Sequence, residues 1–218
     1  MNIAVRIPPR KKTRLTPVVT KVQPSHSGAH GKAKILTPDQ LQTALGKCDE
    51  STFPTRDRLM LLLSHYAALR AQEIAYLEYE DICDVEGRIV GTLHVSKKAG
   101  KYGKERDIPM HPVLLKALKA YCAEAEITDG PIFFSRFGEQ MTPNAVQKQI
   151  KAIYKACNFK GASSHSGRRG FITRLARSAG QEECSLVDVQ KLAGHASLTT
   201  TALYIDASPQ AKRLVMAL

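Results

Sequence analysis

Six side chains in this sequence could together act on a phosphodiester. Two arginine forks can hold the non-bridging oxygens of a phosphate bidentately, and a tyrosine oxygen can attack the phosphorus to form a covalent phosphotyrosine. A lysine or histidine can protonate the leaving sugar oxygen. The sequence shows no acidic cluster that would hold Mg²⁺, so we expect chemistry without a metal, another cofactor or ATP. The six residues are Arg70, Lys101, His165, Arg168, His195 and Tyr204.

The first two of these residues also have structural interpretations. Arg70 follows an apolar helix and precedes Glu73 by three residues, a spacing typical of a structural ion pair or a helix cap. Lys101 stands in a glycine-rich turn, where most lysines are simply solvated. Neither position identifies a function on its own.

The other four residues are equally ambiguous when each is taken alone. His165 and Arg168 project from one side of a helix's first turn, where they can bind an anion or cap the helix. His195 follows Gly194, a pattern typical of a helix end, and can have a purely structural role. Tyr204 can be an ordinary core aromatic residue. The functional prediction therefore depends on the set as a whole.

Helical patterns surround these residues and predict a mainly α (α+β) fold, a helical bundle with one small antiparallel hairpin. Thr37 is placed to cap the first helix and Pro38 to occupy its first position. Apolar residues then recur at helical spacing along most of the chain. Further helices are predicted at 55–69, 71–77, 112–125, 143–157, 167–179, 185–193, 197–206 and 209–217.

The predicted hairpin lies between the third and fourth helices. Arg88–Val95 alternates and is rich in β-branched residues, Ser96–Gly103 is typical of a turn, and Arg106–Pro109 completes the pair. The tip is strongly basic, which favours contact with a polyanion. The residues predicted to bind DNA here are Lys97, Lys98, Lys104 and Arg106, with Arg169 beside the phosphate site.

The chain has 218 residues and a formal net charge of +12, which is unevenly distributed. Residues 1–34 contain eight lysines and arginines and no acidic residue, whereas the remaining 184 residues contain 24 basic and 20 acidic groups, a net +4. Prolines and the lack of apolar periodicity predict an extended or disordered arm. Such an arm indicates nucleic acid as partner, although many basic arms are only solvated. Its predicted DNA contacts are Arg10, Lys11, Lys12 and Arg14.

Neither membrane insertion nor secretion is expected from the sequence. No apolar run approaches the roughly 18–20 residues that span a bilayer, and no apolar segment follows the basic N-terminus as in a signal peptide. The five cysteines form no Cys-x-x-Cys pair, which argues against zinc ribbons, iron–sulfur clusters and a disulfide scaffold. We therefore expect a cytoplasmic, nucleoid-associated protein.

Five short motifs resemble those of tyrosine recombinases of the phage integrase family. Their order and spacing match the family from about Leu36 to the C-terminus. The resemblance implies a catalytic domain over residues 35–218, preceded by the arm at 1–34. The motifs are Ala-Leu-Arg70-x-x-Glu73-Ile, Lys101 eight residues before Pro109, His165-x-x-Arg168, Leu-Ala-Gly-His195, and Tyr204 nine residues later in a Thr-Thr-Thr-x-x-Tyr context.

The resemblance implies a role for each residue in cutting DNA. Arg70 and Arg168 would bind the scissile phosphate, and Tyr204 would attack it to give a 3′-phosphotyrosyl link and a free 5′-hydroxyl. Lys101 would be the general acid for the leaving oxygen. These steps would make the protein a site-specific recombinase that integrates, excises or inverts DNA.

The resemblance also implies supporting roles and shows two departures. His165 would be the general base, His195 would hydrogen-bond the phosphate, and Glu73 would support the site without touching the phosphate. The family often has His-x-Leu-Arg-His, whereas this chain has Gly167 before the arginine and Arg169 after it.

Double-stranded DNA recombination sites and further copies of this chain are the partners that the resemblance implies. Two copies would bind each site and four would form the synapse, with accessory DNA-bending proteins as further candidates. The apolar face at 209–217 could dock on a neighbouring copy or on its own domain. Because only the arm precedes the catalytic domain, the chain resembles the short recombinases that lack a core-binding domain, or a truncated integrase.

Two other functions stay open at this point. A DNA-binding regulator or accessory protein could use such a domain without cutting, although it would not need the tyrosine. A type IB topoisomerase uses similar chemistry, but the Gly-His195 motif and its spacing to Tyr204 favour a recombinase.

Overall fold

The computed structural model describes residues 33–100, 103–179 and 184–204. Within these residues the chain forms eight α-helices, a 3₁₀ turn at Tyr79–Asp81 and one two-stranded antiparallel sheet, which confirms the predicted fold class. The helices are α1 Pro38–Cys48, α2 Pro54–Tyr66, α3 Ala71–Ala75, α4 Pro112–Glu124, α5 Pro143–Ala156, α6 Ser166–Ser178, α7 Leu186–Ala193 and α8 Leu198–Ala202. The strands are β1 Thr92–Val95 and β2 Arg106–Pro109.

Proline at the start of the helix defines where α1, α2, α4 and α5 begin. Its locked φ suits a helix, and it lacks an N–H that would have no partner in the first turn. At α1 the cap is reciprocal: the Gln40 N–H donates to Thr37 Oγ1, and the Thr37 N–H donates to Gln40 Oε1, each at 3.2 Å. The predicted start of this helix is therefore confirmed.

The end of α2 differs from the prediction in a way that matters for the site. The helix ends at Tyr66 rather than Leu69, because Ala68 has a φ of 53°, in the left-handed region that a right-handed helix cannot contain. α8 likewise ends at Ala202, before the predicted 206. The helix predicted at 209–217 lies outside the described residues.

The sheet is a single hairpin whose first strand is shorter than predicted. β2 has the predicted bounds, but β1 begins at Thr92 instead of Arg88. Gly91 still accepts from the Met110 N–H next to β2, but the Val90 N–H donates to the Ile82 carbonyl at 3.0 Å. Alternating, β-branched sequence thus continues beyond the segment that pairs with β2.

α2 lies at the centre of the fold. It contacts α1, α4, α5 and α6, and a helix that is buried all round belongs in the middle of a bundle. Its fully or almost fully buried apolar residues are Leu59, Met60, Leu61, Leu62 and Leu63. None of the helices in the described ranges is long and apolar enough to cross a membrane.

A glycine allows α6 to pack closely against α2. A Cβ on Gly167 would lie 2.5 Å from Ser64 Oγ and 2.8 Å from His65 Cδ2, so the leucine of the family pattern would not fit here. His65 is itself buried, with its Nε2 3.1 Å from the Tyr154 hydroxyl oxygen. This close crossing sets the position of the helix that carries Arg168.

Gly167→Ala should lower the free energy of unfolding by about 1–3 kcal/mol, because α2 and α6 must separate to admit the methyl group. Urea unfolding followed by circular dichroism measures this change. Gly46→Ala in α1 is the matched control, since its Cβ would meet no atom within 4 Å. That control should gain up to about 1 kcal/mol from helix propensity. A Gly167→Ala protein as stable as the wild type would contradict the close crossing.

Candidate active site

Arg70 is positioned by the turn between α2 and α3. It is the N-cap residue of α3, and its own N–H donates to Glu73 Oε2 at 2.8 Å. The guanidinium Nη1 donates to Glu73 Oε1 at 2.8 Å, and Nη2 donates to the Gly194 carbonyl at 3.2 Å. The side chain is 20% exposed, so a ligand can reach part of it.

Arg168 lies in the first turn of α6 and is 5% exposed. Its Nη1 donates to the Ala68 carbonyl at 2.6 Å, and its Nη2 donates to the Ala193 carbonyl at 2.5 Å. Burial, and then the positive charge of Arg70, lower the pKa of Arg168 to about 9, so it is still protonated near neutral pH. Both hydrogen bonds go to neutral carbonyl groups and leave the positive charge in place.

The C-terminus of α7 brings these arginines together. Gly194 ends the helix in the left-handed region, with a φ of 60°. The last carbonyls of a helix lack intrahelical partners and carry the negative end of its dipole, so they favour cations. Three successive carbonyls accept hydrogen bonds from three arginines: Leu192 from Arg106, Ala193 from Arg168, and Gly194 from Arg70.

Glu73 supplies the negative charge between two of these arginines. Its side chain is 1% exposed, and Arg106 binds it with both Nη groups, at 2.9 Å to each carboxylate oxygen. Burial by itself would raise the pKa of Glu73, but the hydrogen bonds and charge of Arg106, and then of Arg70, lower it below its usual range. The ionised carboxylate therefore orients both guanidinium groups.

His195 and Tyr204 lie beside the arginines. His195 directly follows Gly194, and its Nδ1 is 2.9 Å from Thr201 Oγ1. Its ring stacks on the ring of Tyr204, with centroids 5.6 Å apart. Burial, and then the positive charges of the three arginines, lower the pKa of His195 to about 4. The imidazole is therefore neutral at pH 7.

His165 and Lys101 are the other two residues predicted to be catalytic. His165 is exposed and is the residue that precedes α6, one helical turn before Arg168. Lys101 lies outside the described residues. The structure thus brings together Arg70, Arg168, His195 and Tyr204 around Glu73 and the end of α7.

The hairpin lysines that were predicted to bind DNA lie on the surface. Lys97, Lys98 and Lys104 are all exposed. Lys97 Nζ is 3.8 Å from a Glu105 carboxylate oxygen, and Lys98 pairs with Glu78. The four predicted contacts of the arm lie outside the described residues.

Two arginines that were predicted to bind DNA are placed differently from that expectation. The side chain of Arg106 is 7% exposed, and its three guanidinium nitrogens donate to Glu73 and the Leu192 carbonyl. It is internal because alternate residues of a strand share a face, and it shares one with the buried Ile108. Arg169 is partly buried and donates to the Ala33 carbonyl, which attaches the chain before α1 to α6.

Thr201 is a site residue that the sequence pattern did not single out. It is fully buried and bonds to His195 Nδ1. The Thr-Thr-Thr run before Tyr204 was an available signal, but the partner of its last hydroxyl depends on the turn between α7 and α8. In the part of the chain that the structure describes, no group of three or more His, Cys, Asp or Glu side chains could hold a metal ion.

Known sequences match most of this chain. Tyrosine recombinase XerC of Xylella fastidiosa (strain M23) is 30% identical over 173 residues, which is 78% of this chain and 55% of that protein. Tyrosine recombinase XerD of Listeria monocytogenes serotype 4b (strain F2365) is 28% identical over 187 residues, which is 81% of this chain and 59% of that protein. The chain therefore spans just over half the length of these relatives.

Solved structures share the fold. The Tn1549 transposon integrase in complex with a circular intermediate DNA has a TM-score of 0.69 at 21% identity, over 88% of this chain and 67% of that one. The XerH site-specific recombinase bound to its difH substrate has a TM-score of 0.64 at 23% identity, over 85% and 54%. The model of the phage integrase family matches residues 34–211. The chain belongs to the phage integrase family.

Proposed function

We propose that this chain carries the catalytic domain of a tyrosine-type site-specific DNA recombinase. The observation that supports this most strongly is the convergence of Arg70 and Arg168 on the end of α7, with His195 stacked on Tyr204 beside them. Transfer of a phosphodiester needs a nucleophile next to fixed positive charge, and this arrangement provides both. The relatives named tyrosine recombinase support the same reaction.

Arg70 and Arg168 supply positive charge for the scissile phosphate. As the tyrosine oxygen bonds to phosphorus, the non-bridging oxygens gain negative charge, which guanidinium forks can bind bidentately. The carbonyls of α7 and the carboxylate of Glu73 already orient these side chains. Little reorganisation is then needed when DNA binds, and the charge is strongest where the transition state requires it.

The proposed covalent step exchanges one bond to phosphorus for another. The Tyr204 oxygen loses its proton to His165 and bonds to phosphorus, while the bond from phosphorus to the 5′ oxygen breaks. Lys101 gives a proton to that leaving oxygen. The products are a 3′-phosphotyrosyl link and a free 5′-hydroxyl, and attack by another strand's 5′-hydroxyl reverses the step without ATP.

His195 acts as a neutral hydrogen-bond donor in this proposal. When Nδ1 accepts from the Thr201 hydroxyl, the ring proton is on Nε2, which can donate to a phosphate oxygen. The ring of His195 stacks on the ring of Tyr204, which keeps the imidazole next to the tyrosine. His195 would therefore position the phosphate against the nucleophile.

The proposed substrate is a pair of double-stranded recombination sites in the cytoplasmic nucleoid. Two copies of the chain would bind each site and four would form the synapse, with accessory DNA-bending proteins as candidate partners. The Tn1549 integrase and XerH, which share the fold, were solved bound to DNA, and this supports a DNA partner. The alternative is a regulator that binds DNA without cutting, and the next experiment separates the two.

Tyr204→Phe should bind DNA as tightly as the wild type but form no covalent adduct, because it lacks the nucleophilic oxygen. The assay uses DNA flanking the gene, nicked to trap the intermediate, and detects an SDS-resistant protein–DNA complex. Tyr79→Phe is the matched control, since its hydroxyl donates to the Gly87 carbonyl at 2.8 Å, outside the site. An adduct from Tyr204→Phe would contradict the assignment, and a wild type that binds without an adduct would favour the regulator.

Removing residues 1–32 should weaken DNA binding and flatten its salt dependence. The deletion removes seven lysines and arginines but keeps Ala33 and Lys34, which bond to α6 and to the Gly161 carbonyl. Each lost phosphate contact should reduce the slope of log K against log salt by about 0.9. A full-length chain with glutamine at the seven positions separates charge from length. An unchanged slope in both proteins would show that the arm does not contact DNA.

The ring of His195 should stay neutral from pH 8 down to near its pKa of about 4. Ring ¹H–¹³C NMR signals measure this pKa, and Arg70→Gln should raise it by removing a nearby positive charge. His195 takes up a proton near pH 6.5 in the unfolded chain but only near pH 4 in the folded protein. Its contribution should therefore make the protein less stable as pH falls from about 6.5 to about 4. Titration of His195 near pH 6.5 would show that burial and the arginines do not act as described.

A further inference from the structure

Arg106 connects the hairpin to both elements that hold the candidate phosphate-binding arginines. It begins β2, it binds both carboxylate oxygens of Glu73 on α3, and its Nε donates to the Leu192 carbonyl of α7 at 2.9 Å. All three guanidinium nitrogens are engaged internally, and the side chain is 7% exposed. Arg106 therefore donates three of its five N–H groups to partners inside the protein.

The end of α7 is shaped around Arg106. A Cβ on Gly194 would lie 2.9 Å from Arg106 Nη1 and 3.2 Å from its Cζ, so the guanidinium packs directly on the backbone of Gly194. The carbonyl of this same glycine accepts the hydrogen bond from Arg70, and His195 follows it. Arg106 therefore occupies the space that separates α3 from the end of α7.

Only an arginine can make this set of contacts. Its planar fork matches the two oxygens of a carboxylate while Nε donates in a third direction, and a lysine ammonium cannot reproduce that geometry. Glu73 Oε1 accepts from both Arg106 and Arg70, and Oε2 accepts from Arg106 and the Arg70 N–H. Loss of the fork would let the carboxylate rotate, and Arg70 would move with it.

We propose that Arg106 is a positioning residue for strand cleavage, which holds Glu73 and the end of α7 at a fixed separation. Arg70 and Arg168, which bond to the Gly194 and Ala193 carbonyls, are thereby aimed at one phosphate. The inference rests on the proposed function. Arg106 would thus differ from the exposed hairpin lysines, because Arg106 would affect cleavage without contacting DNA.

Arg106→Lys and Arg106→Gln test this role in the full chain on the nicked DNA substrate. The single-turnover rate of adduct formation at saturating DNA should fall about 10²-fold, as expected when catalytic groups shift by about 1 Å. The Kd for DNA and its salt slope should stay at the wild-type values. Arg88→Lys is the matched control, because Arg88 also pairs with carboxylates, at 2.8 Å and 2.9 Å, but is 73% exposed. Its rate and Kd should both be those of the wild type.

Combining Arg106→Lys with Arg70→Lys separates a positioning role from a general loss of structure. Arg106 and Arg70 act through one carboxylate, so Arg106→Lys should cost much less in an Arg70→Lys protein than in the wild type. The same fold-loss in both backgrounds would overturn the proposal. A weaker Kd with a wild-type rate at saturation would also overturn it, because Arg106 would then be a DNA contact.

A readout that needs no cleavage keeps this inference distinct from the proposed function. The side-chain Nε–H NMR signal of Arg70 should shift in Arg106→Lys and stay unchanged in Arg88→Lys. An unshifted signal would overturn the positioning role. A wild type that forms no adduct would overturn the proposed recombinase instead, and the NMR comparison would still decide whether Arg106 orients Arg70.

Discussion

The bonding of three guanidinium groups to the last three carbonyls at the end of α7 is the interaction on which the candidate site depends. Arg70, Arg106 and Arg168 come from three different elements and repel one another, so hydrophobic packing alone would not bring them together. A helix C-terminus offers acceptors without intrahelical partners and the negative end of a dipole, and both favour cations. The left-handed Gly194 exposes these carbonyls and leaves room for the guanidinium of Arg106.

The charge of this cluster suits a phosphate. The cluster contains three guanidinium groups and one buried carboxylate, that of Glu73, which pairs with Arg70 and Arg106. These four groups together carry two positive charges. The lowered pKa values of Arg168 and His195 have a common origin in burial and in this excess of positive charge. A phosphate would add the missing negative charge, and a transition state with more charge on its oxygens would gain more. The positive charge of this cluster is therefore consistent with strand cleavage as proposed.

The apolar core determines where these charges meet. α2 is buried on all sides and ends at Tyr66. The left-handed Ala68 lies two residues further on, and its carbonyl accepts from Arg168. α6 approaches α2 closely because Gly167 has no side chain, and this brings Arg168 to that carbonyl. The departure from the family pattern at Gly167 is thus explained by helix packing, while the departure at Arg169 attaches the chain before α1.

Local signals in the sequence by themselves determined most of the described helices and the hairpin, and they singled out side chains whose chemistry suits a phosphate. Thr37 with Pro38 marks a helix start because the capping hydrogen bond is made within the first turn of the helix. The order and spacing of the five motifs can likewise be recognised without knowing the fold. Only the tertiary structure decided what Arg106 binds, because its partners Glu73 and Leu192 are distant in sequence. Every residue has a backbone carbonyl, so the sequence does not show which carbonyls accept hydrogen bonds from arginines. The position of the end of α7 relative to α3 and α6 decides this.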